Sequence, residues 1–181
     1  MPLFEQILNE DDIKKEIKLS VISLVGKICF RITKHFIPYF NQNISLLINA
    51  CQIALMHSED DFDFEEYLQD LRHTLISTFT MFFYGLDDCG RAVEFEPFIG
   101  QIFNFYSVLI LNDSYELKGE TLKQMLGFIM DMISTIGRNI KKVVNVNVLE
   151  KLIFKIKETK NEKIIAYVNE CENDLKLIWI E

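Results

Sequence analysis

The sequence has few of the residues that end helices or form tight turns. Its 181 residues include 7 glycines and 3 prolines. Glycine and proline are the strongest local breakers of regular structure, so their scarcity favours long helices over a β-rich fold with many turns. Apolar residues make up 49% of the chain, which is enough to form a continuous core.

The cysteines form no recognisable motif. The chain has 4 cysteines, widely spaced, with no Cys-x-x-Cys pair and no histidine at metal-ligand spacing. We therefore predict buried, reduced thiols in a cytosolic or nuclear protein, and no metal site.

Long apolar runs are also missing. The longest stretch without a charged residue is 16 residues long, from Pro97 to Asn112. A helix needs about 20 residues to cross a bilayer, and no secretory signal pattern opens the chain. The sequence predicts a soluble intracellular protein with no membrane partner.

Positive charge is in deficit. The chain carries 19 basic and 27 acidic residues, a formal net charge of −8. Nucleic acid is therefore excluded as a partner for the surface as a whole, and a basic protein segment is favoured. The lysines between residues 151 and 163 alternate with glutamates, which indicates a solvated face.

Catalytic motifs are absent as well. We find no phosphate loop, no glycine-rich cofactor fingerprint and no metal-ligand set. The histidines at positions 35, 57 and 73 belong to no recognisable catalytic motif. We predict a protein that is not an enzyme and binds no cofactor; an α-helical enzyme domain without a visible motif is a remote alternative.

What the sequence does contain is helical periodicity. Apolar residues recur at helical spacing in eight segments, and no strand-like alternation of useful length appears. The predicted helices cover residues 3–9, 13–32, 38–56, 64–85, 95–111, 120–137, 146–157 and 161–179. Either Asp61 or Asp63 is expected to cap the fourth helix, which stops near Gly85, and Gly137 is expected to end the sixth.

A short motif recurs within this pattern. The segment Phe36-Ile37-Pro38-Tyr39-Phe40-Asn41-Gln42 returns 59 residues later as Phe95-Glu96-Pro97-Phe98-Ile99-Gly100-Gln101. Each copy leads into a helix, which is typical of stacked helix pairs. We predict an all-α HEAT-repeat (armadillo-type) superhelical solenoid of about four antiparallel helix pairs, forming a single array over residues 1–181.

Three segments resemble the C-terminal HEAT repeats of importin beta. The run Asp61-Phe62-Asp63-Phe64-Glu65-Glu66-Tyr67-Leu68-Gln69-Asp70-Leu71-Arg72, followed by Thr78-Phe79 and Tyr84-Gly85-Leu86, resembles an acidic loop and helix of that family. Residues 94–103 resemble the next outer helix, and residues 150–177 resemble the C-terminal end. The resemblance covers nearly the whole chain in order.

The resemblance implies a nuclear transport receptor. It implies binding of the basic N-terminal helix of importin alpha, or of basic cargo, on an inner surface, and of Phe-Gly nucleoporins between outer helices. Ran would act mainly through earlier repeats that this chain lacks. The resemblance further implies the C-terminal fragment of a longer receptor that shuttles through nuclear pores between cytoplasm and nucleus. The alternative is an unrelated HEAT or armadillo scaffold subunit of a phosphatase or trafficking complex.

The candidate site for a basic partner lies in an acidic segment. Residues 59–70 hold seven acidic residues and no basic one. Glu66 and Asp70 are four apart and share a helix face, which His73, Ser77 and Tyr84 continue. We predict Asp63, Glu66 and Asp70 as partner contacts; a solvated loop with a helix cap is the simpler interpretation.

The resemblance suggests two further candidate sites. Asp131 lies where the family often carries aspartate on an inner helix, so it is a candidate contact for the basic partner or a structural contact between repeats. Phe40 and Phe103 are candidates for a Phe-Gly groove beside the apolar helix 95–111, although such a helix is also typical of core.

Overall fold

The structure is a computed structural model that describes residues 2–10, 12–58, 60–137, 140 and 142–180. Apart from the single helical residue Ile140, the residues in these ranges form eight α-helices, two short 3-10 helices and no strand. The helices are α1 (Pro2–Asn9), α2 (Lys15–Ile32), α3 (Ile37–Ala54), α4 (Phe62–Asp87), α5 (Glu96–Leu111), α6 (Gly119–Ile136), α7 (Val146–Glu158) and α8 (Glu162–Ile180). The predicted all-α class and all eight predicted helices are confirmed.

The chain forms two compact units, Met1–Phe105 and Tyr106–Glu181. The boundary between them falls within α5. The single array over residues 1–181 stays a prediction.

In the first unit, α4 packs against α2 and α3. Cys29 lies beside Gly85, and Thr78 Oγ1 lies 3.4 Å from the carbonyl oxygen of Ile22, so α2 and α4 run parallel. Arg72 donates to the end of α3 at Ala54, whereas Phe40 near its start packs on Phe82, so α3 and α4 are antiparallel. This arrangement buries one side of α4 and leaves another side exposed.

The recurring motif serves the same purpose in both copies. Each copy begins at the last residue of a four-residue 3-10 helix, Thr33–Phe36 or Ala92–Phe95, and this residue is a fully buried phenylalanine. The ring centroid of Phe36 lies 5.3 Å from that of Phe82, and the centroid of Phe95 lies 5.6 Å from that of Phe83. The two copies thus contact adjacent residues of α4, and these phenylalanines belong to the core between helices.

The ends of α4 and α6 follow from local chemistry. The Asp61 side chain accepts a hydrogen bond from the Phe64 backbone N–H at 2.9 Å, which confirms Asp61 as the cap of α4. Gly137 has a φ of 77° and follows the last residue of α6, so its predicted role as a stop is also confirmed.

The observed end of α4 at Asp87 agrees with the predicted end near Gly85. A Cβ at Gly85 would lie 2.8 Å from the Cys29 carbonyl oxygen, closer than real Cβ contacts allow. Glycine is therefore required here for the close approach of α2 rather than for the end of a helix.

Replacing Gly85 with alanine is expected to lower the free energy of unfolding by about 1 to 2 kcal/mol. The new methyl group meets backbone atoms of α2, so the two helices must separate. Alanine's better helix propensity offsets part of that cost. Gly100→Ala is the matched control, because a Cβ there meets nothing within 4 Å. Urea denaturation of both variants checks this, and equal stability would show that α2 and α4 tolerate a wider spacing.

The second unit repeats the parallel packing of alternate helices. A Cβ on Gly127 of α6 would lie 2.9 Å from the Tyr167 hydroxyl of α8, and a Cβ on Gly119 would lie 3.4 Å from Ile164. These contacts pair the start of α6 with the start of α8. The loop residue Asp113 forms ion pairs with Lys151 and Lys155 of α7, at 3.3 and 3.2 Å.

Candidate functional site

The predicted residues of α4 lie together on one face, where all but the half-buried Ser77 are exposed. We call this face, made of Asp63, Glu66, Asp70, His73, Ser77 and Tyr84, the α4 stripe. Its members recur three, four or seven residues apart, which places them along one side of the helix. Leu68, Leu71 and Leu75 are buried on the other side. Glu59, also part of the predicted acidic segment, lies outside the described residues.

The N-terminal half of the stripe is negative and accessible. Asp63, Glu66 and Asp70 are all exposed. Among the residues that the structure describes, neither Asp63 nor Glu66 has an ion-pair partner. Acidic residues at a helix N-terminus are favoured by the helix dipole, but Glu66 and Asp70 repel each other at a spacing of four residues. A cation bound along the stripe would relieve that repulsion.

Glu65 belongs to the predicted acidic segment but points away from the stripe. Its carboxylate accepts hydrogen bonds from Arg72 Nη1 at 2.8 Å and from the Ser58 backbone N–H at 3.2 Å. The Nδ1 of His57 lies 3.1 Å from Glu65 Oε2, the oxygen that accepts from Ser58. Glu65 therefore ties the loop before α4 to the helix and is not available to a partner.

Arg72 organises this network and is a residue that the sequence analysis missed. Its guanidinium is fully buried and also donates to the carbonyl oxygens of Ala54 and Met56, at 2.8 and 2.9 Å. Those carbonyls lie at the end of α3, where a helix has unpaired acceptors. The available signal was a basic residue between Leu71 and Leu75 on the apolar side of the pattern.

The pKa of Glu65 makes one part of the stability depend on pH. Burial alone would raise this pKa, but the hydrogen bond from Arg72, that from Ser58, the Arg72 charge and the His57 contact together lower it below its ordinary value of 4.5. The stabilisation is fully present above the unfolded-state pKa and is lost as the pH falls through the lower folded-state pKa.

We therefore expect Glu65→Gln to destabilise the protein at neutral pH but to match wild type in acid. The carboxylate's advantage over the neutral amide disappears once it is protonated. Urea denaturation of both proteins from about pH 7 to about pH 3 measures the difference. A difference that stays constant through this range would contradict the assigned role of Glu65.

Asp131 lies in the second unit, half-buried on α6, and its backbone carbonyl accepts a hydrogen bond from the Ser134 hydroxyl at 2.8 Å. Its partner contact stays a prediction.

The predicted Phe-Gly residues are in the core. Phe40 is 2% exposed and packs on Phe82, Phe95 and Phe98, and Phe103 is 4% exposed. An open cavity of about 300 Å³ lies instead between α3 and α5. Neither Phe40 nor Phe103 is among its lining residues, which are Ile48, Cys51, Gln52, Leu55, Gly100, Gln101, Asn104 and Phe105.

Other kinds of site find little support. The described part of the chain contains no cluster of histidine, cysteine and acidic residues that could hold a metal, and none of its helices is long and apolar enough to span a membrane. Burial raises the pKa of the Cys29 and Cys51 thiols to about 12, which leaves them protonated and poorly nucleophilic.

Antiparallel neighbours, parallel alternate helices and a recurring helix-opening motif define a helical-repeat protein of the HEAT type. Residues 1–160 match the family described as importin subunit beta-1-like, TPR repeats. The match covers most of the sequence, and the chain belongs to this family.

Two known proteins illustrate the relationship. Importin subunit beta-1 of Arabidopsis thaliana is 21% identical over 145 residues, which cover 80% of this chain and 16% of that protein. A structure of Kap95p has a TM-score of 0.76 at 20% identity. Binding of Kap95p induces the switch loops of RanGDP to adopt the GTP-bound conformation. That match covers 96% of this chain and 20% of Kap95p, so the chain spans at most a fifth of either relative.

Proposed function

We propose that this chain is part of a nuclear transport receptor and acts there as a binding scaffold without catalytic activity. Its partner would be a basic helix, such as the N-terminal helix of importin alpha or a basic cargo segment. The receptor would move between cytoplasm and nucleus. Membership of the importin beta-1-like family supports this class of function.

The observation that carries the proposal is the α4 stripe. Asp63 and Glu66 are exposed, lie on one helix face, and have no ion-pair partner among the described residues. Unpaired carboxylates in a row attract a cationic helix and fix its register. The attraction acts across solvent-exposed charges, so salt should weaken it.

The α4 stripe also offers contacts besides charge. His73, Ser77 and Tyr84 continue it toward the C-terminus of α4, where Tyr84 is 36% exposed. A partner helix with basic residues at one end and polar or apolar residues at the other would match both halves. This complementarity favours a helix of one orientation over a flexible basic tail.

A titration with synthetic peptides tests the proposal. The probe is a basic amphipathic helix of about 20 residues, and the control peptide carries glutamate in place of each basic residue. We expect binding of the basic peptide alone, weaker at about 200 mM than at about 50 mM salt. No binding at low salt, or equal binding of both peptides, would contradict the proposal.

We also propose Phe-Gly nucleoporin binding, supported by the cavity between α3 and α5. Apolar side chains of Ile48, Leu55 and Phe105 line it together with the amides of Gln52 and Gln101. A phenylalanine ring requires an apolar pocket, and amides suit the backbone of its neighbouring glycine. Titration with Phe-Gly and matched Ser-Gly peptides tests this, and equal binding of the two would contradict it.

A further inference from the structure

An ammonium group already occupies an aromatic site beside the α4 stripe. The Nζ of Lys15, on α2, lies 4.5 Å from the ring centroid of Phe64 and 5.4 Å from that of Tyr67. The two rings are stacked, with centroids 6.1 Å apart and planes 24° from parallel. These distances are within the range of cation–π attraction. The ring pair therefore forms a surface that accepts a cation.

The aromatic pair borders the carboxylates of the stripe. Tyr67 is four residues after Asp63 and three before Asp70, so it lies next to both on the helix surface. Phe64 and Tyr67 are half-buried and Lys15 is exposed, so solvent and a partner can reach the site. Among the described residues, Lys15 has no carboxylate partner, and its ammonium lies over the rings.

We propose that Phe64 and Tyr67 form a cation subsite of the basic-partner surface, which takes an arginine or lysine side chain of the partner when Lys15 leaves it. This inference rests on the proposed function. Lys15 then acts as a resident competitor, because the partner's cation gains the rings only as Lys15 moves into solvent. A planar guanidinium stacks on rings better than an ammonium, so the subsite should favour arginine.

Lys15→Met tests the subsite because it removes the resident charge and keeps a long apolar stem. Lys14→Met is the matched control: Lys14 is also exposed and precedes α2, but it makes no contact with the rings in the described structure. Both variants lose one positive charge, so a difference between them isolates the ring site from general electrostatics.

We expect Lys15→Met to bind an arginine-containing basic helix about five-fold more tightly than wild type, and Lys14→Met at most about two-fold more tightly. Adding Phe64→Leu to Lys15→Met should remove the extra gain. Phe64→Leu alone should change wild-type affinity little, since Lys15 occupies the rings there. Circular dichroism and thermal melting confirm that each variant is folded.

The outcomes separate the two proposals. Equal gains for Lys15→Met and Lys14→Met, with binding still seen in wild type, would overturn the cation subsite and leave the proposed function intact. A gain that survives Phe64→Leu would also overturn the subsite. No binding by wild type or any variant at low salt would contradict both proposals.

Discussion

Replacement of Arg72 by methionine is expected to lower the free energy of unfolding by about 3 kcal/mol. Methionine fills similar volume, but the Ala54 and Met56 carbonyls lose their donor and Glu65 loses its cation. Removing one partner from a buried ion pair costs more than the pair itself contributes, because the remaining groups stay desolvated. Thermal melting should show a midpoint lower by about 10 °C.

The matched control for Arg72 is Arg91→Met. Arg91 also pairs with a glutamate, Glu94, but both side chains are on the surface. Exposed ion pairs contribute little to stability, so this variant should melt close to wild type. Similar losses for the two variants would contradict the role given to the buried network. Adding Glu65→Gln to Arg72→Met should cause little further loss, because the pair is already broken.

The second large effect is expected on binding. Asp63→Lys combined with Glu66→Lys should weaken binding of the basic helix about thirty-fold at low salt. Each substitution replaces an attraction by a repulsion, and neither residue has an ion pair to lose among the described residues. Calorimetric or fluorescence titration at about 50 mM salt gives both affinities.

Glu150→Lys combined with Glu170→Lys controls for net charge. Both residues are exposed, on α7 and α8, and the change in formal charge is the same. This control should bind at most a few-fold more weakly than wild type, through long-range repulsion alone. Equal losses in the two double variants would show that net charge, rather than the α4 stripe, determines affinity.

The sequence predicts helices well where the apolar spacing decides the structure. The eight helices, the Asp61 cap and the Gly137 stop all follow from periodicity and local hydrogen bonding. The need for glycine at position 85 does not follow from these local rules, because it comes from the close contact with Cys29, which is 56 residues away in the chain. From the local sequence, glycine is read as a helix-breaking residue. In the packed structure, it is required because any side chain at this position would clash with α2.

The sequence shows that the segment is acidic, but it does not show which of its carboxylates are structural and which are available to a partner. Helical spacing correctly placed Glu66 and Asp70 on one exposed face, and the structure adds Asp63 to it. Glu65 is adjacent in sequence to Glu66, yet it turns to Arg72 because a rotation of one residue moves it toward α3. A count of charges cannot separate a structural carboxylate from an available one.

The sequence also does not show which aromatic side chains are accessible to a partner. Periodicity identified an apolar helix at residues 95–111, which is core where it faces its neighbours. Phe40 and Phe103 were chosen as groove residues for their type and motif, but their side chains are buried. The open cavity is lined partly by Gln52, Gln101 and Asn104, which carry no such signal in the sequence.

Nuclear magnetic resonance mapping of the basic helix on the isotopically labelled protein tests the central claim most directly. Amide signals should shift along the exposed side of α4, from Asp63 through Asp70 to Tyr84, and the shifts should shrink as salt is added. Shifts confined to the cavity between α3 and α5, or to α7 and α8, would contradict the claim that the α4 stripe holds a basic partner.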